Sequence, residues 1–423
     1  MVEMLVASAA RAVPATVRGD FPILGATSDG MPLTYLDNAA TAQKPQAVLD
    51  ALVGYYATAN SNVGRGYYRL SHASTERYEV VRRFLNAGSA DEIVFTRNTT
   101  DAVNMLADSW AHGQVGPDDQ VLVTGMEHNS NMLPWRRLCE HTGAELVVVP
   151  VDHAGRVRVP DFRDALGPRV RVAAIAHVSN VLGTVNPVRD LVDAAHRAGA
   201  TVVVDGAQAV PHRKVDVRAL GADFYCFSEH KAYGPMGIGV LYGRRDRLEQ
   251  LEPYQVGGGT VKGVRLDAPV RYVPAPGRLE AGTPNVAGAV ALAAALDYLD
   301  ELGLDVVQAH DGLLVRRAVE ALSTVDRIRT VGRPGADPSG IVSFTVDGVH
   351  PYDVGGHLDA HGIAVRSGVH CANVFLDALG LLGTVRMSFA VYNTEEEVER
   401  VAAARRTVRP GPWTRDHPNE RFL

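Results

Sequence analysis

Short runs of β-branched and apolar residues recur along the first part of the chain, separated by longer segments with helical spacing. The runs are Glu92–Thr96, Gln120–Thr124, Glu145–Val149, Arg171–His177, Thr201–Asp205, Asp223–Ser228 and Gly237–Tyr242. Between them, Thr100–His112, Asn131–Thr142 and Pro187–Ala198 read as helices. Strands and helices alternating at this spacing predict an α/β fold with a mostly parallel sheet covered by helices on both faces. Further on the rhythm changes. An amphipathic helical pattern from Leu302 to Leu322 precedes strands at Gly340–Val346 and Arg386–Phe389, with helices at Tyr352–His361 and Thr394–Thr407. The pattern predicts a large domain over residues 33–300 and a smaller α+β domain over 301–407. Residues 1–32 read as an N-terminal arm and 408–423 as a loosely held tail.

At 423 residues the chain can bury a sizeable core without crosslinks. Its three cysteines cannot form a disulfide framework, and the odd number fits a reducing compartment. Cys139 falls in a helical pattern and Cys226 inside a strand, so both read as small buried hydrophobes. Lys and Arg number 42 against 48 Asp and Glu, a net charge of −6 that argues against nucleic acid as the main partner. No stretch approaches the roughly 18 apolar residues of a membrane span. Val286 to Leu296 is the longest uncharged apolar run and reads as a buried or interface helix. Leu5–Ala10 is too short for a signal sequence and follows Glu3 rather than a basic segment, so the expected location is the cytoplasm.

Ligands of open α/β sheets bind beyond the carboxyl ends of the strands. Four strand ends carry unusual polar residues: Asp205-Gly206-Ala207-Gln208, Ser228-Glu229-His230-Lys231, Glu127-His128-Asn129 and His177-Val178-Ser179-Asn180. A lysine at one strand end and an acid on the neighbouring strand suit pyridoxal 5'-phosphate (PLP). The amine carries the cofactor, and the carboxylate keeps the pyridine nitrogen protonated so that the ring can accept electrons. The imidazole of His128 is flat enough to stack on such a ring. Thr99 and Thr100 open a helix, where free N–H groups favour a phosphate, and Ser228 and His230 add side-chain donors. Singly, each of these is more often a turn cap or a solvated side chain. Their conjunction across two successive strands carries the reading. The Gly257-Gly258-Gly259 run lacks the strand and helix of a dinucleotide fingerprint. His357 and His361 are four apart on a helical pattern, but no Glu follows the first, so no metal is expected there.

Seven motifs occur in order: Tyr35-Leu36-Asp37-Asn38-Ala39-Ala40, HVSNVLGT (177–184), VDGAQA (204–209), SEHKAYGPMGIG (228–239), EAGTPN (280–285), VRSGVHCA (365–372) and VRMSFAVYN (385–393). Together they resemble the SufS-like cysteine desulfurases, class V aminotransferases with PLP on fold type I, over about residues 33 to 407. The resemblance implies that Lys231 holds PLP and moves the Cα proton, with Asp205 on the ring nitrogen, Gln208 on the ring hydroxyl and His128 on the ring face. It implies phosphate binding by Thr100, Ser228 and His230, with Thr283 reaching in from the second subunit of a homodimer. Asn180 and Arg386 would hold the substrate carboxylate, and Arg366 joins them as a substrate-binding candidate. Cys371 would be the nucleophile that takes sulfur from L-cysteine as a persulfide and passes it to an acceptor protein or small thiol. It follows Arg366, Gly368 and His370 on one loop, where positive charge favours a thiolate.

The chain departs from that family's pattern in places. Gly64 and Tyr68 stand where relatives usually carry His, Glu229 replaces a Gly, Val369 replaces a His, and Asn373-Val374 follow the cysteine. These positions cluster where substrate and acceptor would sit. A second reading therefore stays open on the same scaffold, a C–S β-lyase or epimerase in which Cys371 takes no part.

Overall fold

The protein is described from a computed structural model, which covers the chain except residues 1–11, 29, 62–75, 112, 153, 326, 333–334, 336–337, 418 and 421–423. Gly64 and Tyr68 lie outside the described residues. Seven strands form the main sheet: β1 (Ile93–Thr96), β2 (Gln120–Thr124), β3 (Glu145–Val149), β4 (Val170–Ala176), β5 (Thr201–Asp205), β6 (Phe224–Ser228) and β7 (Gly239–Gly243). Their order is β1-β7-β6-β5-β4-β2-β3. Pairings among β2 to β6 are parallel, and β7 runs antiparallel to both neighbours. β4 to β7 are buried at almost every position, as near-continuous apolar strands covered on both faces must be.

Helices α1 (Thr99–Ala111), α2 (Leu133–Thr142) and α3 (Val188–Arg197) connect successive strands. The apolar run from Val286 forms α4 (Val286–Leu302), with nine buried residues. The amphipathic pattern that follows does not continue it. Gly303, at φ +85° in the left-handed region, ends α4, and α5 (Leu304–Ser323) starts anew. Beyond it a second, fully antiparallel sheet holds β8 (Ile328–Thr330), β9 (Ile341–Val346), β10 (Arg366–Gly368) and β11 (Thr384–Ser388) in the order β8-β9-β11-β10. Helices α6 (Pro351–Asp359) and α7 (Glu395–Ala404) accompany this sheet, and Val354, Leu358, Val398 and Val401 bury against Val342, Phe344, Val385 and Met387.

Two peripheral segments are tied down by specific groups. Phe21 is buried against the rings of Tyr392, Tyr233 and Tyr298, and Arg18 pairs with Glu397 at 2.9 Å. The segment after Arg409, expected to be loosely held, folds into a short helix at Pro412–Asp416. The carboxylate of Asp353 accepts from the backbone N–H groups of Gly411, Trp413 and Thr414, at 2.7 to 3.1 Å, and from the Thr414 hydroxyl. A carboxylate saturated in this way anchors the segment, and the Trp413 ring packs beside those of His350 and Tyr352.

Candidate active site

A cavity of about 300 Å³ opens beyond the carboxyl ends of β2, β4, β5 and β6. Thr99, Thr100, His128, Asn180, Asp205, Gln208, Ser228, His230, Lys231, Arg366, Cys371 and Arg386 all line it. Thr283, the remaining residue singled out from the sequence, lines a separate cavity with Glu280 and Asn285.

Asp205 ends β5 because the chain turns at Gly206, and that position has no room for a side chain. A Cβ there would come within 2.0 Å of the Tyr225 ring. Asp205 Oδ1 accepts from the Ala207 N–H at 2.9 Å. Burial raises its carboxyl, and Lys231 acts in the opposite direction. Lys231 follows β6 in a single turn, and burial presses its ammonium down to about 8 against the pull of Asp205. His128 accepts from the Ser130 N–H through Nδ1 at 3.0 Å, and burial lowers it to about 3, so its ring is neutral.

Sequence reasoning noted Glu127 only as a neighbour of His128. The structure places it fully buried beneath the loop, accepting from the Ala176 N–H at 2.9 Å, Asn131 Nδ2 at 2.6 Å and the Thr124 hydroxyl at 2.5 Å. It ties the ends of β2 and β4 together under His128. A buried acid at a strand end was the available signal.

At the start of α1 the Thr99 N–H donates to Ser228 Oγ at 2.8 Å, and the Thr100 and Ser130 hydroxyls are 2.6 Å apart. Gly239 permits this approach, since a Cβ there would lie 2.7 Å from Asn98 Cα. Hydroxyls, a helix N-terminus and His230 converge on one end of the cavity, a donor set that fits a phosphate. Gln208 donates to the Ala39 carbonyl through Nε2 at 2.8 Å, while its buried Oε1 has no partner among the described residues. A hydroxyl on a bound ring would satisfy that oxygen. The residues present therefore fit PLP, with lysine, carboxylate, aromatic ring and phosphate donors in one cavity.

Cys371 sits on the loop between β10 and β11, where His370 and Cys371 adopt φ of 54° and 53°. Two successive non-glycine residues in the left-handed region cost of order 1–3 kcal/mol each, and the surrounding contacts must hold them there. They do so from three sides. The Asn129 N–H donates to the Cys371 carbonyl at 2.7 Å, and Asn180 Nδ2 donates to the His370 carbonyl at 2.7 Å. His370 Nε2 lies 2.8 Å from the Thr384 hydroxyl. Burial depresses the His370 imidazole well below its ordinary value, so it is neutral and adds no positive charge beside the thiol. The expected cationic surroundings come instead from Lys231 and Arg386, both within electrostatic reach of Cys371, while Arg366 on β10 lines the same cavity.

Arg386 is almost fully buried. Nη1 donates to the Asn180 carbonyl at 2.9 Å and Nη2 to Asp37 Oδ1 at 3.2 Å. Burial raises the Asp37 carboxyl, while Arg386 and Arg366 pull it down. Sequence reasoning quoted Asp37 within a motif but gave it no part in the site.

Three of the departures, Glu229, Val369 and Asn373, are among the described residues. Val369 is buried in the main core, and Asn373 Oδ1 accepts from Asn129 Nδ2 at 3.0 Å. Glu229 is fully buried, with neither carboxyl oxygen hydrogen-bonded among the described residues, and packs where a Cβ on Gly234 would come within 2.1 Å of its Cγ. Cys139 and Cys226 are buried, and burial pushes the Cys139 thiol up to about 11. His357 Nε2 lies 2.9 Å from the Ala404 carbonyl, and His361 Nδ1 lies 2.8 Å from the carbonyl of His357. Among the described residues no helix is long and apolar enough to cross a membrane.

Comparison with known proteins agrees with this geometry. A cysteine desulfurase of Klebsiella pneumoniae is 46% identical over 391 residues, covering 92% of this chain and 96% of the relative. The crystal structure of a cysteine desulfurase from Escherichia coli superposes with a TM-score of 0.86 at 38% identity, over 93% of this chain and 98% of that one. The apo structure of a cysteine desulfurase from Thermococcus onnurineus gives 0.88 at 39% identity, over the same shares. The fold is thus the PLP-dependent fold type I expected from the sequence. The aminotransferase class-V family matches residues 34–401, and the chain belongs to that family.

Proposed function

We propose that the protein is a PLP-dependent cysteine desulfurase that converts L-cysteine to L-alanine and leaves the sulfur as a persulfide on Cys371. One observation carries this reading: Lys231, Asp205, Arg386 and Cys371 face a single cavity. PLP, when bound, supplies an electron sink for charge developing at the substrate Cα. Lys231 holds the cofactor and moves the Cα proton, a task suited to an amine pressed down to about 8. Asp205 would keep the ring nitrogen protonated, Gln208 would meet the ring hydroxyl, and the neutral imidazole of His128 would pack on the ring. Thr99, Thr100, Ser228 and His230 bind the phosphate. Arg386 and Arg366 hold the substrate carboxylate, a geometry for which a guanidinium fork is well suited. Asn180 supports that end, because its carbonyl positions Arg386.

Cys371, as thiolate, attacks the substrate sulfur. A sulfur–sulfur bond forms as the Cβ–S bond breaks, its electron pair stays on carbon, and protonation there gives alanine. The persulfide then passes to an acceptor protein or small thiol. The working unit is read as a cytoplasmic homodimer in which Thr283 of the partner subunit completes the phosphate site. Thr283 lies away from its own chain's cavity, which supports this reading. Residues 33–300 are read as the PLP-binding domain and 301–407 as the small domain.

Product analysis with L-cysteine tests the proposal. Alanine together with one added sulfur on the Cys371 peptide is expected. Pyruvate, ammonia and sulfide with unmodified Cys371 would reject it in favour of a β-lyase.

A further inference from the structure

Strand β11 turns one face to the core of the second sheet and the other to the cavity. Val385 and Met387 are buried with Val342, Phe344 and Leu358. The alternate positions, Thr384, Arg386 and Ser388, lie on the opposite face, and each holds part of the site. Arg386 lines the cavity. Ser388 Oγ accepts at 2.8 Å from the N–H of Ala39, which lines the cavity too. Thr384 is fully buried, and its hydroxyl lies 2.8 Å from His370 Nε2.

That contact reaches the loop of Cys371. β10 pairs with β11 in antiparallel register, Gly368 opposite Thr384, and the chain beyond Gly368 folds back so that the His370 ring returns to Thr384. Nδ1 of the ring has no partner among the described residues. The ring is held at its Nε2 end, where the Thr384 backbone contributes as well as the hydroxyl. His370 and Cys371 sit at φ of 54° and 53°, a region that non-glycine residues keep only where neighbours enforce it. Asn180 and Asn129, on the loops after β4 and β2, hold the two backbone carbonyls. Thr384 holds the side chain, from the strand that carries Arg386.

We infer that Thr384 is a positioning residue for the nucleophile: through the His370 ring, its hydroxyl holds the backbone that places Cys371 in the cavity, at a set spacing from Arg386 two residues along the same strand. The inference rests on Cys371 being the nucleophile of the proposed function. It adds to that reading the group that sets where the thiol stands relative to the substrate end. A reacting atom misplaced by about 1 Å can lose about 10²-fold in rate. Releasing one of several ties should therefore slow sulfur transfer and spare binding.

Thr384→Val keeps the shape of the side chain and removes the hydroxyl. In the PLP-loaded protein it should form the Cys371 persulfide about tenfold more slowly in a single turnover with L-cysteine, and lower kcat for alanine by the same factor. Mass spectrometry of the quenched Cys371 peptide reads the first rate. Affinity for L-alanine by calorimetry should stay within about twofold of wild type, because the tie acts on the thiol and not on the carboxylate end. Thr384→Ser keeps a hydroxyl and should recover the wild-type rates. His370→Asn removes the other half of the contact with a residue that tolerates the left-handed region, and should show the same loss. The double variant should be no slower than either single one, since both remove one interaction.

Parallel loss of rate and L-alanine affinity, or a loss that serine does not recover, would mean that the fold is loosened generally and would overturn the inference. Persulfide formation at the wild-type rate in Thr384→Val would overturn it too. If Thr384→Val fails to fold, His370→Asn carries the test: slowed persulfide formation with L-alanine affinity kept supports the inference, and any other result rejects it. Failure of the functional reading looks different, because wild type itself would then gain no sulfur on Cys371, and the inference would fall with it.

Discussion

The backbone N–H of Asn129 donates to the carbonyl of Cys371 at 2.7 Å. The loop after β2, which carries His128, therefore holds the loop that carries Cys371. Asn129 Nδ2 adds a second tie to Asn373 Oδ1 at 3.0 Å. The loops of His128 and Cys371 are fixed relative to each other by backbone as well as by side chains.

Because the loop is held by its carbonyls, replacing the sulfur should not disturb it. Cys371→Ser is expected to fold normally and bind L-cysteine, yet to form alanine at least about 10³-fold more slowly, since the covalent catalyst is gone. Steady-state alanine release, with calorimetric binding of L-alanine as control, checks this. Near-normal alanine formation would exclude Cys371 as nucleophile.

In the proposed function Asp205 is the partner of the ring nitrogen. Asp205→Ala should lower turnover by about 10²-fold or more, the range for removing one preorganised electrostatic group. Circular dichroism should remain native, because Asp205 Oδ1 accepts only one backbone hydrogen bond from Ala207 among the described residues. Turnover within a fewfold of wild type would assign the ring nitrogen to another residue.

Lys231 reacts as the free amine, and burial brings it to about 8. A lowered lysine value means that the neutral form gains as pH rises through 8. Capture of PLP by the cofactor-free protein should therefore speed up between pH 7 and 9, with its midpoint near 8. Stopped-flow absorbance measures this rate, and borohydride should fix the cofactor to the Lys231 peptide. A midpoint near the ordinary lysine value of 10.5 would contradict the burial argument.

Glu229 is buried without a hydrogen-bond partner among the described residues, and burial raises its carboxyl well above the ordinary 4.5. The folded state thus keeps a proton that the unfolded chain releases. The stability this provides is complete below 4.5 and is lost as pH rises from there through the raised folded value. Glu229→Gln removes this term. The difference in urea midpoint between variant and wild type should move in favour of the variant from pH 5 to pH 8. A difference independent of pH would show that Glu229 is ionised in the folded protein.

Much of this protein is written locally. The β-branched runs set the strands of the main sheet, because a strand buried on both faces has few alternatives to continuous apolar residues. The polar groups that end those runs, Asp205, Lys231 and His128, were legible for the same reason: a polar residue directly after a buried strand lies at the sheet edge. Cys371 stood apart from Cys139 and Cys226 by its Gly-containing loop. The separation of the helix from Val286 and the one ending near Leu322 was legible, while the docking of residues 411–414 on Asp353 was not, because it depends on a carboxylate some 60 positions away. Asp37 and Arg386 lie 349 positions apart, and nothing in either neighbourhood announces the other. Spacing along the chain specifies which groups face a sheet edge. Their charge states, as with the neutral His370 and the raised Glu229, are decided by burial and by neighbours that only the folded chain brings within a few ångströms.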